Sequence, residues 1–120
     1  MHSELVRSYE FEAAHRLPNV PSGHKCARLH GHSYQLTIHI SGEVDSKFGW
    51  VMDFAAIDDH VEPLVRELDH QLLNEISGLD NPTSEHLAAW LWQRIKPGLP
   101  MMTELHISET RSSRCVYRGP

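Results

Sequence analysis

The chain has 120 residues, with 11 Lys and Arg against 16 Asp and Glu, a formal net charge of -5 and 40% hydrophobic residues. A chain of this length buries roughly two thirds of its unfolded surface, which fits a single domain over residues 1–120 and leaves little room for a second. The acidic balance argues against a nucleic-acid backbone as main partner; no apolar run approaches the ~20 residues of a membrane span, and the opening MHSELVRSYE lacks the basic and apolar regions of a signal peptide.

Cys26 and Cys115 form no C-x-x-C pair and read as free thiols of a reducing compartment, so a cytoplasmic location is expected. The charge is uneven. From His15 to His32 the chain carries Arg16, Lys25, Arg28, four histidines and no acid, and Thr110 to Pro120 adds Arg111, Arg114 and Arg118, again without an acid. Two basic islands on an otherwise acidic chain suit a small anionic ligand better than a polymer. Taken singly, each island is equally compatible with solvated loop charge.

In chain order, Leu5, Tyr9, Phe11 and Ala13 alternate with polar residues from Leu5 to Ala14, the period of a half-buried strand. A second strand is predicted from His32 to Ile40, with Tyr34, Leu36, Ile38 and Ile40 on one face and Ser33, Gln35, Thr37 and His39 on a wet one. Asp53 caps a predicted helix whose apolar positions are Phe54, Ile57, Val61, Leu64, Val65 and Leu68, with a kink or break expected at Pro63. After Asn81-Pro82, Thr83 or Ser84 caps a second helix that buries Leu87, Trp90, Leu91 and Ile95 and stops at Lys96-Pro97-Gly98. Strands near Thr103–Glu109 and Arg114–Tyr117 finish the chain. The order ββααββ predicts an α+β fold, a four-stranded antiparallel sheet with both helices on one face. Its two open edges point to oligomerisation by sheet extension.

His30 and His32, two apart on a strand, project to the same side. His15 shares the parity of the apolar residues on the first strand, so pairing of the two strands brings three imidazoles to one point. Three neutral nitrogen ligands suit zinc in its catalytic form, with a coordination position left open. Cys26, four residues before His30, stands either as a fourth ligand that closes the site or as a thiolate base or nucleophile. Asp69-His70 follows the first helix, and adjacent helical residues do not face each other, so a working pair requires irregular backbone there. Glu109 falls on the parity of Leu105 and Ile107, a carboxylate on an apolar face. Its partner is either a ring with adjacent N–H donors or one of Arg111 and Arg114. Cys115 reads as packing.

The run FEAAHRLPNVPSGHKCARLHGHSY, with GWVMDF, LDHQLLN, NPTSEHLA and SET, closely resembles the 6-pyruvoyl-tetrahydropterin synthase superfamily, and within it the bacterial 6-carboxy-tetrahydropterin synthase branch of queuosine biosynthesis. In that branch the cysteine stands four residues before H-G-H, as Cys26 does before His30. The resemblance implies the tunnelling fold, in which three sheets join edge to edge into a barrel and two trimers stack into a hexamer with sites between subunits. It further implies Zn2+ on His15, His30 and His32, Cys26 as general base activated by Asp69 and His70, and Glu109 as pterin anchor. The implied reaction is zinc-dependent carbon–carbon cleavage of 7,8-dihydroneopterin triphosphate to 6-carboxy-5,6,7,8-tetrahydropterin, acetaldehyde and triphosphate. The acid-free loop offers His24, Lys25 and Arg28 for the triphosphate.

Overall fold

The computed structural model describes residues 1–120. Strand β1 runs His2–His15 and pairs antiparallel along its whole length with β2, His30–Glu43, placing His15 opposite His30 and Phe11 opposite Tyr34. Helix α1 spans Phe54–Leu68, and α2 spans Ser84–Ile95. A two-residue strand β3, Gln71–Leu72, lies between them, followed after α2 by β4, Met102–Thr110, and β5, Ser113–Tyr117. The sheet order is β3-β1-β2-β4-β5.

The expected α+β architecture holds, with one addition: the sheet has five strands. β3 pairs parallel with Ala13 and Ala14 of β1. Two residues are too few to generate an alternating pattern, which is why periodicity does not reveal it. The outer edge of β1 below Glu12 and the outer edge of β5 stay open, as two-edged sheets require.

The parity expected of each strand is observed. Tyr34, Leu36, Ile38 and Ile40 of β2 are fully buried beside Phe11, Leu105 and Ile107, against Ile57, Val61, Leu68, Leu87, Leu91 and Ile95 of the helices. Asp53 accepts a hydrogen bond from the Ala55 N–H, and Thr83 from the His86 N–H, so both caps form. Helix α1 passes through Pro63 without the expected break. Proline inside a helix costs about 3 kcal/mol, whereas fully burying a large aliphatic side chain gains about 1.5–3 kcal/mol. Ile57, Val61 and Leu68 are fully buried on either side of Pro63 and outweigh the loss. Phe54, predicted apolar-face, is exposed at the helix start and lies under the Arg7 guanidinium. Arg7 also forms paired bonds of 3.0 and 2.9 Å to Asp58, to which the Tyr9 hydroxyl donates at 2.5 Å, tying α1 onto β1. Cys115 is half-buried against the core with its thiol pushed up by that burial, in keeping with a packing role.

Candidate functional site

Full-length antiparallel pairing of β1 and β2 brings His15, His30 and His32 together at one end of the sheet, on the helix side. Their ring centroids lie 4.6, 4.9 and 5.0 Å apart, and one ring nitrogen from each falls within 4.8 Å of the others. Gly31 permits the approach: a Cβ there would sit 3.3 Å from the Ala13 carbonyl oxygen.

The protons on these rings follow from their partners. His15 Nδ1 lies 2.9 Å from the Pro82 carbonyl, and His30 Nδ1 lies 2.7 Å from the Arg28 carbonyl. Carbonyls only accept, so both Nδ1 atoms donate and both Nε2 atoms of the neutral rings are bare lone pairs. Those two Nε2 atoms face each other at 3.1 Å. The His32 Nε2 is buried without a hydrogen-bond partner. Burial holds the His32 imidazole below its ordinary pKa, reinforced by His15 and His30 and opposed by Glu109. Lone pairs aimed at a shared point, with the opposite nitrogens pinned by carbonyls, are the arrangement in which histidines hold a metal ion. The donor set fits zinc with one position open. Cys26 is outside this group of converging donor atoms.

Glu109 is half-buried beside the triad. Its Oε2 lies 3.6 Å from His32 Nε2, and its Oε1 accepts from Ser84 Oγ at 2.9 Å. Neither Arg111 nor Arg114 pairs with it, because Glu109 points toward α2 while both arginines lie exposed around the β4–β5 turn. Spacing marks Ser84 only as a candidate helix cap and Tyr34 only as an apolar-face residue, and gives neither Pro82 nor the Tyr34 hydroxyl, 3.2 Å from His15 Nδ1, a place in a site. The sequence signal for Pro82 and Ser84 is the Asn81-Pro82-Thr83-Ser84 run, which places a helix start against the strands.

Asp69 and His70 end α1. His70 adopts φ +58°, the irregular backbone that lets neighbouring side chains meet, and its Nδ1 lies 3.0 Å from Asp69 Oδ2. The Glu12 N–H donates to Asp69 Oδ1 at 2.8 Å, and His70 N–H donates to the Glu12 carbonyl, stitching the pair to the β1 edge. The Glu12 amide, then the His70 ring, hold the Asp69 carboxyl below the usual carboxylate range. Together with His32, Gly31 and Gln71, His70 lines a cavity of about 530 Å³.

Cys26 occupies a single 3-10 turn, Lys25–Ala27, in the loop between β1 and β2. The loop is fastened at its base by Leu17 N–H to the Cys26 carbonyl, 2.9 Å, and by Asn74, which bonds both the N–H and carbonyl of Arg16. His24 Nδ1 accepts from the Cys26 N–H at 3.1 Å, so this ring shapes the turn. Lys25 and Arg28 are exposed. Cys26 does not line the cavity that holds His70.

Residues 4–120 match the family described as 6-pyruvoyl tetrahydropterin synthase. The chain is 38% identical over 122 residues to the 6-carboxy-5,6,7,8-tetrahydropterin synthase of Synechocystis, covering 97% of this chain and 93% of that one. It is also 38% identical over 100 residues to the dihydroneopterin monophosphate aldolase of Pyrococcus furiosus, covering 83% and 81%. The 6-pyruvoyl tetrahydropterin synthase of Caenorhabditis elegans superposes with a TM-score of 0.92 at 25% identity, over 100% of this chain and 97% of that one. With its fold and its sequence both matched over nearly their whole extent, the chain belongs to the 6-pyruvoyl tetrahydropterin synthase family.

Proposed function

We propose that the protein is a zinc-dependent lyase that converts 7,8-dihydroneopterin triphosphate to 6-carboxy-5,6,7,8-tetrahydropterin, acetaldehyde and triphosphate, a step of queuosine biosynthesis. The observation that carries this reading is the triad of imidazoles presenting bare or unpartnered Nε2 atoms at one point. The Synechocystis relative of that name supports it at 38% identity.

His15, His30 and His32 hold the ion, which when bound supplies Lewis acidity to the side-chain oxygens of the substrate and so acidifies the neighbouring C–H. Glu109, beside His32, accepts the paired N–H donors of the pterin ring and sets that side chain against the triad. Cys26 removes the proton as thiolate. Asp69 orients the His70 ring through the 3.0 Å contact, and His70 takes up and returns the proton that Cys26 carries. Within one chain Cys26 and His70 do not share a cavity, and joining the open edges of β1 and β5 in a barrel of subunits brings the two together from different copies. A dimer of trimers completes the assembly. Lys25 and Arg28, exposed in the acid-free loop, hold the triphosphate, with His24 shaping the turn that presents them.

The test is incubation of the purified protein with 7,8-dihydroneopterin triphosphate, mass analysis of the products and a zinc count. Acetaldehyde with 6-carboxy-tetrahydropterin is expected. Loss of triphosphate without carbon–carbon cleavage would establish pyruvoyl-type chemistry instead. The Pyrococcus relative favours a second reading, an aldolase acting on a dihydroneopterin phosphate; retention of the phosphate ester on the released fragment would identify it.

A further inference from the structure

A second cluster, on the opposite, polar face of the sheet, takes no part in the chemistry above. His39 of β2 lies directly across from Glu104 of β4, with His106 two residues further along the same side of β4. The two imidazoles stack with centroids 4.4 Å apart and planes 23° from parallel. Glu4 of β1 accepts a hydrogen bond from His39 Nδ1, and Glu104 Oε2 accepts from His106 Nε2 at 2.5 Å. The side chains of His39, His106 and Glu104 are only 16%, 12% and 22% exposed.

Ionised carboxylates accept and do not donate, so the nitrogen facing each carboxylate carries the proton and the other nitrogen of each neutral ring is a lone pair. A cation seated between His106 Nε2 and Glu104 Oε2 takes the place of that proton, and the neutral ring then carries its hydrogen on Nδ1, which is buried without a partner. With one ligating atom taken from each of His39, Glu104 and His106, the three lie within 4.8 Å of one another. Bonds from such donors to a zinc-class ion run ~2.0–2.2 Å, so the side chains draw in around the ion on binding. Arg118 touches only Oε1 of Glu104, at 3.4 Å, leaving Oε2 to the histidines.

We propose that His39, Glu104 and His106 form a second site, distinct from the triad, for a borderline divalent cation of the Zn2+ class, with Glu4 orienting the His39 ring from outside the coordination shell. Two imidazoles and one carboxylate select such ions over Ca2+ and Mg2+, which take all-oxygen shells. A carboxylate on the far nitrogen of a ligating histidine is the usual outer-shell support. The ligands lie on the adjacent strands β2 and β4, so the ion cross-links the middle of the sheet.

The experiment strips the full-length protein with chelator, titrates it with Zn2+, and counts bound equivalents per chain by elemental analysis after gel filtration, with Co2+ as an absorbing substitute. Two equivalents are expected for the wild type. The His39→Asn/His106→Asn variant then binds one, and His30→Asn/His32→Asn keeps the other. Glu4→Gln, which deletes no ligand and retains the side chain's size, weakens the second equivalent about 10–100-fold and serves where the double variant fails to fold. A single equivalent that survives His39→Asn/His106→Asn and disappears in His30→Asn/His32→Asn overturns the second site and leaves the triad standing. A single equivalent with the reverse dependence supports the second site and removes the triad reading.

Discussion

The two ends of β2 carry histidines of opposite parity, and that difference separates two environments within ten residues. His30 and His32 fall on the even face, which turns toward the helices, while His39 falls on the odd face, which turns to water. At the first end the rings of His15 and His30 are pinned by backbone carbonyls of Pro82 and Arg28, which impose a tautomer without adding charge. At the other end His39 and His106 are pinned by the carboxylates of Glu4 and Glu104, which impose a tautomer and bring negative charge close. A carbonyl-held triad suits an ion that must stay a strong Lewis acid, because neutral ligands leave its charge intact. A carboxylate-held cluster suits an ion that braces.

The comparison breaks most sharply at the triad itself. His30→Asn is expected to weaken zinc affinity by more than about 100-fold, beyond the range of outer-shell changes, and to abolish turnover, measured by metal titration and product assay. Retained turnover by a zinc-free variant would dissolve the distinction between the two ends. Cys26→Ala separates ligand from base: kcat should fall by about 10²–10⁴-fold while zinc content stays at the wild-type value. A loss of zinc in that variant would return the thiol to the coordination shell. Lys25→Ala and Arg28→Ala should raise the substrate KM with kcat nearly unchanged, and an unaltered KM would free the loop of the triphosphate.

The two faces of β2 are contrasted on a smaller scale by adjacent residues. Ile38→Ala should cost about 2–5 kcal/mol in denaturant unfolding, because Ile38 is fully buried. Thr37→Ala should stay within about 0.5 kcal/mol, its hydroxyl meeting only exposed Ser8 at 3.3 Å. The smallest effect concerns acid stability on the helix side. Bonds from Arg7 and then Tyr9 hold the Asp58 carboxyl below its ordinary value of 3.8. Between the folded and ordinary values the unfolded chain binds the proton more readily, so this contribution is present above pH 3.8 and fades as pH falls through that window. Asp58→Asn should therefore flatten the acid limb of the wild-type stability curve.

Much of the site was legible because its parts depend on local rules. Alternation in β1 and β2 assigns His15, His30 and His32 to one face, the caps at Asp53 and Thr83 start the helices where expected, and the His-Gly-His spacing marks the candidate ligands. The partners were not legible in the same way. Spacing offered Glu109 two arginines, and the folded chain gave it the Ser84 hydroxyl as partner, with its other oxygen 3.6 Å from His32 Nε2. It offered no reason for a strand at Gln71–Leu72, which exists because Asp69 and His70 bind the Glu12 backbone and draw the following residues along β1.

By itself, the sequence determined which residues face the helices, which face water, and which imidazoles share a side, since side-chain direction in a strand follows from counting by two. Only the tertiary structure decided that α1 runs through Pro63, that His70 takes a left-handed backbone, and which carbonyl or carboxylate fixes each ring's proton. Those outcomes depend on burial and hydrogen bonds between segments distant along the chain, whose energies outweigh local preference once the layers have closed.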